Sequence, residues 1–361
     1  MEKYRVGIVG ATGMVGQRFI SLLKDHPWFE VNCVAASARS AGKTYREAVG
    51  ERWAFSWEIP EKVAGMTVVD AADIDEVSKH VDFVFCAVDM KKDEIRALEE
   101  AYAKHEIPVV SNNSACRGIE DVPMVVPEIN ADHLAVIEAQ KKRLGTKNGF
   151  IAVKPNCSIQ SYVPALTPLL DFEPEKVSVC TYQAISGAGK TFKTWPEMVD
   201  NVIPYIGGED EKSEKEPLKL WGHVEDGKIV NAALPVISAQ CLRVACSDGH
   251  MAAVSVSFKK KPTIEQIKER WANYETEAQR LELPSAPKPF LQYFEAPSRP
   301  QTRLDRDFQN GFGVSIGRLR EDKLFDYRFV CLSHNTVRGA AGGGILTAEL
   351  LCRKGYIPHR V

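Results

Sequence analysis

The amino-acid sequence predicts an α/β protein: a doubly wound parallel sheet, then an α+β domain with a mostly antiparallel sheet. Three observations predict it. In the first half, short β-branched runs alternate with amphipathic stretches. Val81 to Val88 is an almost continuous apolar run, as expected of a strand covered on both faces. Later, Val177 to Ala184 and Met251 to Phe258 alternate with period two, the pattern of a sheet with one open face.

Taken in order, Tyr4 to Val9 predicts the first strand, Gly10 to Gly16 a glycine-rich turn, and Gln17 to Lys24 a helix with Phe19, Leu22 and Leu23 on one face. Val31 to Ala36 and Val81 to Val88 are the next strands, Lys92 to His105 an amphipathic helix, and Ile107 to Ser111 a further strand. Phe150 to Val153 is one more strand. It runs into Lys154-Pro155-Asn156-Cys157, and a helical stretch begins at Ser158. Beyond it, Phe325 to Leu332 is a strand, and helices are expected at about Thr191 to Val202, Glu209 to Trp221 and Thr263 to Tyr274. Strict alternation ends near Asn156, so the boundary is set there: a first domain over 1–156 and a second over 157–337. Arg338 to Arg353 reads as a glycine-rich turn plus helix, and 338–361 is expected to pack with the first domain. Leu283 to Pro289 and Glu295 to Gln301 read as loops, and no internal repeat is visible.

The 361 residues carry a formal net charge of -2, which argues against a field that collects nucleic acid. No run approaches the roughly 18 apolar residues of a membrane span. Met1 to Arg5 lead into the first strand with no visible targeting segment, so a cytoplasmic protein is expected. The nine cysteines are odd in number and show no CxxC spacing. Reduced thiols are therefore expected, with neither a disulfide framework nor a metal site.

The run Gly10, Ala11, Thr12, Gly13, Met14, Val15, Gly16 follows a strand and opens a helix. Glycines there let backbone approach a pyrophosphate, and the helix N-terminus supplies free N–H groups, as in a Rossmann-type dinucleotide site. The second strand ends in Ser37, Ala38, Arg39 and Ser40, with Lys43 close behind and no acid to hold a ribose 2′-hydroxyl. Cationic and hydroxylic side chains suit a 2′-phosphate, so the cofactor expected is NADP(H).

Cys157, at a strand-to-helix corner with Asn156 and Ser158, is the candidate nucleophile. Helix N-terminal N–H groups would pull its pKa below the roughly 8.5 of a free thiol. A buried structural cysteine would give the same local pattern. A thiolate beside a nicotinamide suits interconversion of an aldehyde and an acyl-thioester. That chemistry needs an acid/base, and His250, following the turn Ser247-Asp248-Gly249, is the candidate; an unperturbed histidine titrates near pH 6.5.

These features stand in a longer series: GATGMVG from Gly10, SNNSACR from Ser111, VPEIN from Val126, PNCSIQ from Pro155, YQAISGAGK from Tyr182, NVIPYIGGEDEK from Asn201, RVACSDGH from Arg243 and HNTVRGAAGGG from His334. In that order, across essentially the whole chain, they resemble the aspartate-β-semialdehyde dehydrogenase family in its archaeal/fungal-like branch. The resemblance implies NADPH-dependent reduction of L-aspartyl-4-phosphate to L-aspartate-4-semialdehyde and phosphate, on the way to lysine, methionine and threonine, by a homodimer or homotetramer. It implies Cys157 as nucleophile, His250 as acid/base, and Gln183 and Asn156 as catalytic neighbours. It implies Arg243 for the substrate carboxylate, Glu209 for its ammonium, and Arg117, Lys212 and Asn112 for phosphate. The cofactor would lie along Gly10, Thr12 and Gly13 to Gly16, Ser37, Arg39 and Ser40, and Ser186, Gly187 and Gly189, with Asn335 near the nicotinamide. One departure is Ala245-Cys246, where family members often carry a proline; it bears on the rigidity of that segment. Rival readings are an acyl-CoA reductase of the malonyl-CoA type, an N-acetylglutamyl-phosphate reductase, and a nucleotide-binding protein without catalysis. The Glu209/Lys212 pair favours a substrate with an α-ammonium, and the presence of Cys157 and His250 favours an enzyme.

Overall fold

Short β-branched runs bounded by glycine or polar turns form the first sheet. The computed structural model describes residues 2–359. Met1, Arg360 and Val361, at the outer ends of the first and last segments, lie outside the described residues. Six strands, β1 (Tyr4–Val9), β2 (Phe29–Ala36), β3 (Val69–Asp70), β4 (Phe83–Cys86), β5 (Val109–Ser111) and β6 (Ile151–Val153), pair in parallel in the order β3-β2-β1-β4-β5-β6. This is the doubly wound order, with its ligand crevice at the carboxyl ends of the strands. Helix α1 (Met14–Leu23) starts earlier than the turn expected over Gly10 to Gly16 allows. Extended Gly13 caps it, and Gly16 enters the first turn, buried against the Gly10 carbonyl. Helix α2 (Lys92–Lys104) covers the sheet with Ile95, Tyr102 and Ala103.

The second sheet contains β7 (Pro174–Gln183), β8 (Val202–Ile203), β11 (Val236–Val244), β12 (His250–Phe258), β13 (Leu291–Phe294), β14 (Val314–Glu321) and β15 (Tyr327–Ser333). A separate hairpin holds β9 (His223–Glu225) and β10 (Lys228–Val230). The order is β13-β14-β15-β12-β7-β11-β8. Four of its pairings are antiparallel, and β7/β11 and β13/β14 are parallel, so the sheet is mixed but mostly antiparallel. Helices α3 (Glu209–Leu220) and α4 (Ile264–Ala272) accompany it. The inner face, with Val177, Val254 and Phe329, packs on Trp271 of α4 and on Ile159, Tyr162 and Leu166. That core is continuous with Val9, Val84, Val109 and Val153 on one face of the first sheet. The other face of the first sheet, with Ile8, Phe85 and Ala152, is closed by Ile345, Leu346, Leu350 and Leu351 of α5 (Gly342–Arg353).

One expected helix is corrected. Thr191 to Val202 is turns, a short 3-10 segment at Pro196–Met198 and the start of β8. Pro196 keeps Trp195 out of the helical region, at φ -143, ψ 66. Asp200 has a positive φ of 57, which ends any helix there. The helical stretch expected from Ser158 begins there and runs to Phe172 as a 3-10 turn, Ser158–Gln160, an α-turn, Val163–Leu166, and a second 3-10 segment, Thr167–Phe172.

Candidate active site

The glycine-rich turn lies at the carboxyl end of β1. Gly10 has a φ of 90, and a Cβ there would lie 2.3 Å from the Ala87 carbonyl oxygen. A Cβ on Gly16 would lie 2.3 Å from the Gly10 oxygen. Both positions exclude any side chain. At Gly13 the nearest atom to a Cβ is 3.6 Å away, so the turn is open on that side. The first N–H groups of α1, at Met14 and Val15, have no intrahelical acceptor, and no acid stands in the first turn. The Thr12 carbonyl is tied to Gln17 Nε2 at 3.0 Å. One strand over, Ser37 and Arg39 are exposed and Ser40 is buried, its N–H bonded to the Ser37 carbonyl at 2.8 Å. Among the described residues neither Arg39 nor Lys43 makes an ion pair with an acid. An open N–H cradle beside two free cations fits a dinucleotide with a 2′-phosphate.

Cys157 stands at the end of β6 on the wall of a cavity of about 260 Å³. Asn112, Arg117, Asn156, Glu209 and Lys212 line the same cavity, with Val15, Ser186, Gly187 and Asn335. Both amide atoms of Asn112 are buried without a partner, which marks the wall as built for a polar ligand. Gly339 closes the cavity behind the nucleophile: a Cβ there would lie 2.9 Å from Cys157 Cβ.

The expected acidic shift of the Cys157 thiol is corrected. Burial pushes the thiol up and nearby Glu209 adds to the rise, while Lys154, Arg117 and Arg243 pull the other way without overcoming it. The physical reason is desolvation: a thiolate in this wall gives up the water that would stabilise its charge, and the neighbouring cations return less than that. The Asn156 side chain serves the corner itself. Its Oδ1 accepts from the Ser158 N–H at 2.9 Å, and its Nδ2 donates to Glu209 at 2.9 Å.

His250 opens β12 and is fully buried. Its Nδ1 accepts from the Ala184 N–H at 3.0 Å, and its Nε2 has no partner. Burial, with Arg243 close by, holds the ring's pKa down at about 3 rather than near 6.5. The imidazole is therefore neutral, with its proton on the free Nε2. Arg243 Nη1 donates to the Ala184 carbonyl at 2.7 Å, so the backbone of one residue aims both side chains. Gly187 lies over them: a Cβ there would fall 2.8 Å from Arg243 Nη1 and 3.0 Å from His250 Nε2. Asn335 ties the parts together, accepting from the Gly249 N–H at 2.7 Å and donating to Ser186 Oγ at 2.8 Å. Gly189, with a φ of 66, closes this turn away from the cavity wall. The Ala245-Cys246 segment is held without proline: Ile185 N–H donates to the Cys246 carbonyl at 2.9 Å, and Ser186 N–H to the Ser247 carbonyl at 3.2 Å.

Helix α3 presents Glu209, Lys212, Ser213, Glu216 and Lys219 at helical spacing along one side. Glu209 accepts from Lys212 at 2.8 Å and from Gln183 Nε2 at 3.2 Å. Burial alone would raise its pKa, but Lys212 and the amides of Asn156 and Gln183 hold it below the ordinary carboxylate value. Three buried charges had escaped the sequence reading. Glu216 pairs with Arg117 at 2.9 Å. Lys219 donates to the carbonyls of Arg117, Ile119 and Val122 at 2.7, 2.7 and 3.0 Å, and burial lowers its pKa to about 8. Lys154 donates to the Pro155 carbonyl, and burial, with Arg117 nearby, lowers it to about 7. Lys154 stands three residues before the nucleophile, and Glu216 two turns after Glu209; those spacings were the available signals.

The structure thus brings Cys157, Asn156, Asn112, Arg117, Glu209, Lys212, Ser186, Gly187, Val15 and Asn335 to one cavity. Gln183, Arg243 and His250 are buried just behind it. Comparison with known proteins agrees in both halves. Residues 5–137 match the family described as semialdehyde dehydrogenase, NAD binding domain, and residues 166–338 match semialdehyde dehydrogenase, dimerisation domain. Aspartate-semialdehyde dehydrogenase from Archaeoglobus fulgidus is 43% identical over 98% of this chain and 100% of its own. The Schizosaccharomyces pombe protein of that name is 45% identical over 98% and 99%. The crystal structure of aspartate semialdehyde dehydrogenase with NADP from Candida albicans superimposes with a TM-score of 0.89 at 39% identity, covering 99% of this chain and 100% of that one. The chain belongs to the aspartate-semialdehyde dehydrogenase family.

Proposed function

We propose that this protein reduces L-aspartyl-4-phosphate to L-aspartate-4-semialdehyde and phosphate with NADPH, through a thioester on Cys157, in lysine, methionine and threonine biosynthesis. The observation that carries the reading is one cavity holding Cys157, two cations, Arg117 and Lys212, and the unpartnered amide of Asn112, at the carboxyl edge of the nucleotide-binding sheet.

The residues divide the work as follows. The Cys157 thiol gives its proton to solvent; the thiolate, stabilised by Lys154, Arg117 and Arg243, attacks the acyl carbon, forming the C–S bond as the C–O bond to phosphate breaks. Arg117 and Lys212, with Asn112, receive the departing phosphate. Arg243 holds the substrate carboxylate, Glu209 its ammonium, and Gln183 and Asn156 keep Glu209 oriented. NADPH, when bound along Gly10, Thr12 and Gly13 to Gly16 with its 2′-phosphate at Ser37, Arg39 and Ser40, supplies the hydride. His250 presents Nε2–H to the substrate oxygen as negative charge collects there, and exchanges the proton at that atom.

With this function goes a division into a nucleotide-binding domain, 1–156 with 338–361, and a catalytic and dimerisation domain, 157–337. The outer face of the second sheet and its edge expose Tyr182, Val202, Tyr205 and Val236, apolar side chains suited to an isologous homodimer, with a homotetramer built from two. Among the described residues no helix is long and apolar enough to cross a membrane, and the cytoplasm is the proposed location. The test is reduction of NADP by aspartate semialdehyde in the presence of phosphate, followed by nicotinamide absorbance. Activity that needs phosphate is expected. Turnover of malonyl-CoA without it, or no signal at any pH, would sink the assignment.

A further inference from the structure

Glu216 is buried, with 9% of its surface exposed, and the chemistry above leaves it without a task. Its two oxygens have separate partners. Oε1 accepts from Arg117 Nη1 at 2.9 Å, and Oε2 accepts from the backbone N–H of Asn156 at 2.6 Å. One carboxylate therefore joins the phosphate-binding arginine to the residue that precedes Cys157.

The sides of Arg117 differ. Arg117 and Lys212 line both the catalytic cavity and an outer cleft of about 660 Å³. Glu216 lines only the outer cleft. The guanidinium thus stands between the space that phosphate leaves and a fixed carboxylate. Arg117 Nη2 is committed to the Asn112 carbonyl at 3.1 Å, and its Nε is buried with no partner. Phosphate and Glu216 must share this one cation. A carboxylate beside it lowers the positive potential that phosphate meets and offers the guanidinium a partner once phosphate has gone. An arginine without such a counter-ion would bind the product dianion more tightly, and ground-state binding of that kind does not speed turnover. The second bond, to Asn156, carries any change at Arg117 to the nucleophile's loop.

We propose that Glu216 is a positioning residue that weakens the hold of Arg117 on phosphate and couples that hold to the placement of Cys157. The inference rests on the function proposed above. It is tested by steady-state kinetics in the phosphate-consuming direction on the unmodified protein, Glu216→Gln and Glu216→Asp. In Glu216→Gln the phosphate KM should fall about fivefold as repulsion is removed, while kcat falls about tenfold as the Asn156 corner loosens. In Glu216→Asp, which draws the charge back by one methylene, the phosphate KM should fall about twofold. The KM values for NADP and aspartate semialdehyde should hold steady in both. A phosphate KM that is unchanged or raised, or three KM values that rise together as in a loosened fold, overturns the proposal. If the glutamine protein does not fold, the aspartate protein decides by the same criterion. Absence of phosphate-dependent activity in the unmodified protein would instead overturn the function itself.

Discussion

The backbone N–H of Ala184 donates to Nδ1 of His250 at 3.0 Å, and this bond selects the tautomer with which the ring meets a substrate. With Nδ1 accepting, the neutral imidazole keeps its proton on Nε2, the atom left without a partner. His250→Asn should lower kcat by roughly 10²- to 10⁴-fold. The ring's NMR shifts in the free enzyme should stay flat from about pH 5 to about pH 8, across the ordinary value of roughly 6.5. A titration midpoint near the ordinary value would refute the buried neutral ring.

Acid should destabilise the protein through the same ring and through His334, which burial holds down at about 4. Both folded-state values lie below the unfolded one. The unfolded chain therefore takes up protons that the folded chain refuses. Their stabilisation is complete above about pH 6.5 and is lost as pH falls toward 4, by roughly 2 kcal/mol for each ring at about pH 5. Urea unfolding at the two pH values measures it, and equal midpoints would contradict it.

The resting thiol should be sluggish. Because burial raises the Cys157 pKa, inactivation of the free enzyme by iodoacetamide should accelerate with pH up to about 9 without levelling off. A plateau at or below about pH 7 would mean that a thiolate pre-exists. Cys157→Ser should abolish turnover and still bind NADPH, as read by fluorescence titration.

Cofactor choice should depend on Arg39, which is exposed beside the β2 end and, among the described residues, makes no ion pair with an acid. Loss of a charged bond to phosphate costs about 1.5–3 kcal/mol, so Arg39→Ala should lower the preference for NADP over NAD by roughly 10- to 100-fold. Comparison of kcat/KM for the two cofactors checks it; an unchanged ratio would remove Arg39 from the site.

Gly339 should matter through contact alone. A methyl there would sit 2.9 Å from Cys157 Cβ and 3.3 Å from its Cα, so the nucleophile must shift. Misplacement on that scale costs up to about 10²-fold in rate, and Gly339→Ala should reduce kcat by roughly tenfold or more with cofactor KM unchanged. Full activity would show that the loop yields freely.

Much of the first half could be read directly. The β1 run, the turn at Gly10 and the face of α1 are local patterns, and their physics, backbone sterics and one apolar stripe, acts over a few residues. The position of Cys157 after β6 was legible for the same reason. Period two found β7 and β12 because one face of each is buried. It passed over β11 (Val236–Val244), whose alternation is interrupted by Ala239 and which pairs in parallel with β7, a partner distant in sequence. Thr191 to Val202 looked helical by composition; Pro196 and the left-handed Asp200 decide otherwise.

The sequence by itself determined the strand–helix rhythm of the first half, the nucleotide turn, the absence of an acid after β2, and which cysteine follows the last strand of that half. Each is written in neighbouring residues. Only the tertiary structure decided the ionisation of Cys157 and His250, the tautomer set by Ala184, and the bridge that Glu216 makes from Arg117 to Asn156. Desolvation and Coulomb interaction depend on distances in space among groups far apart in the chain, and no local pattern contains them.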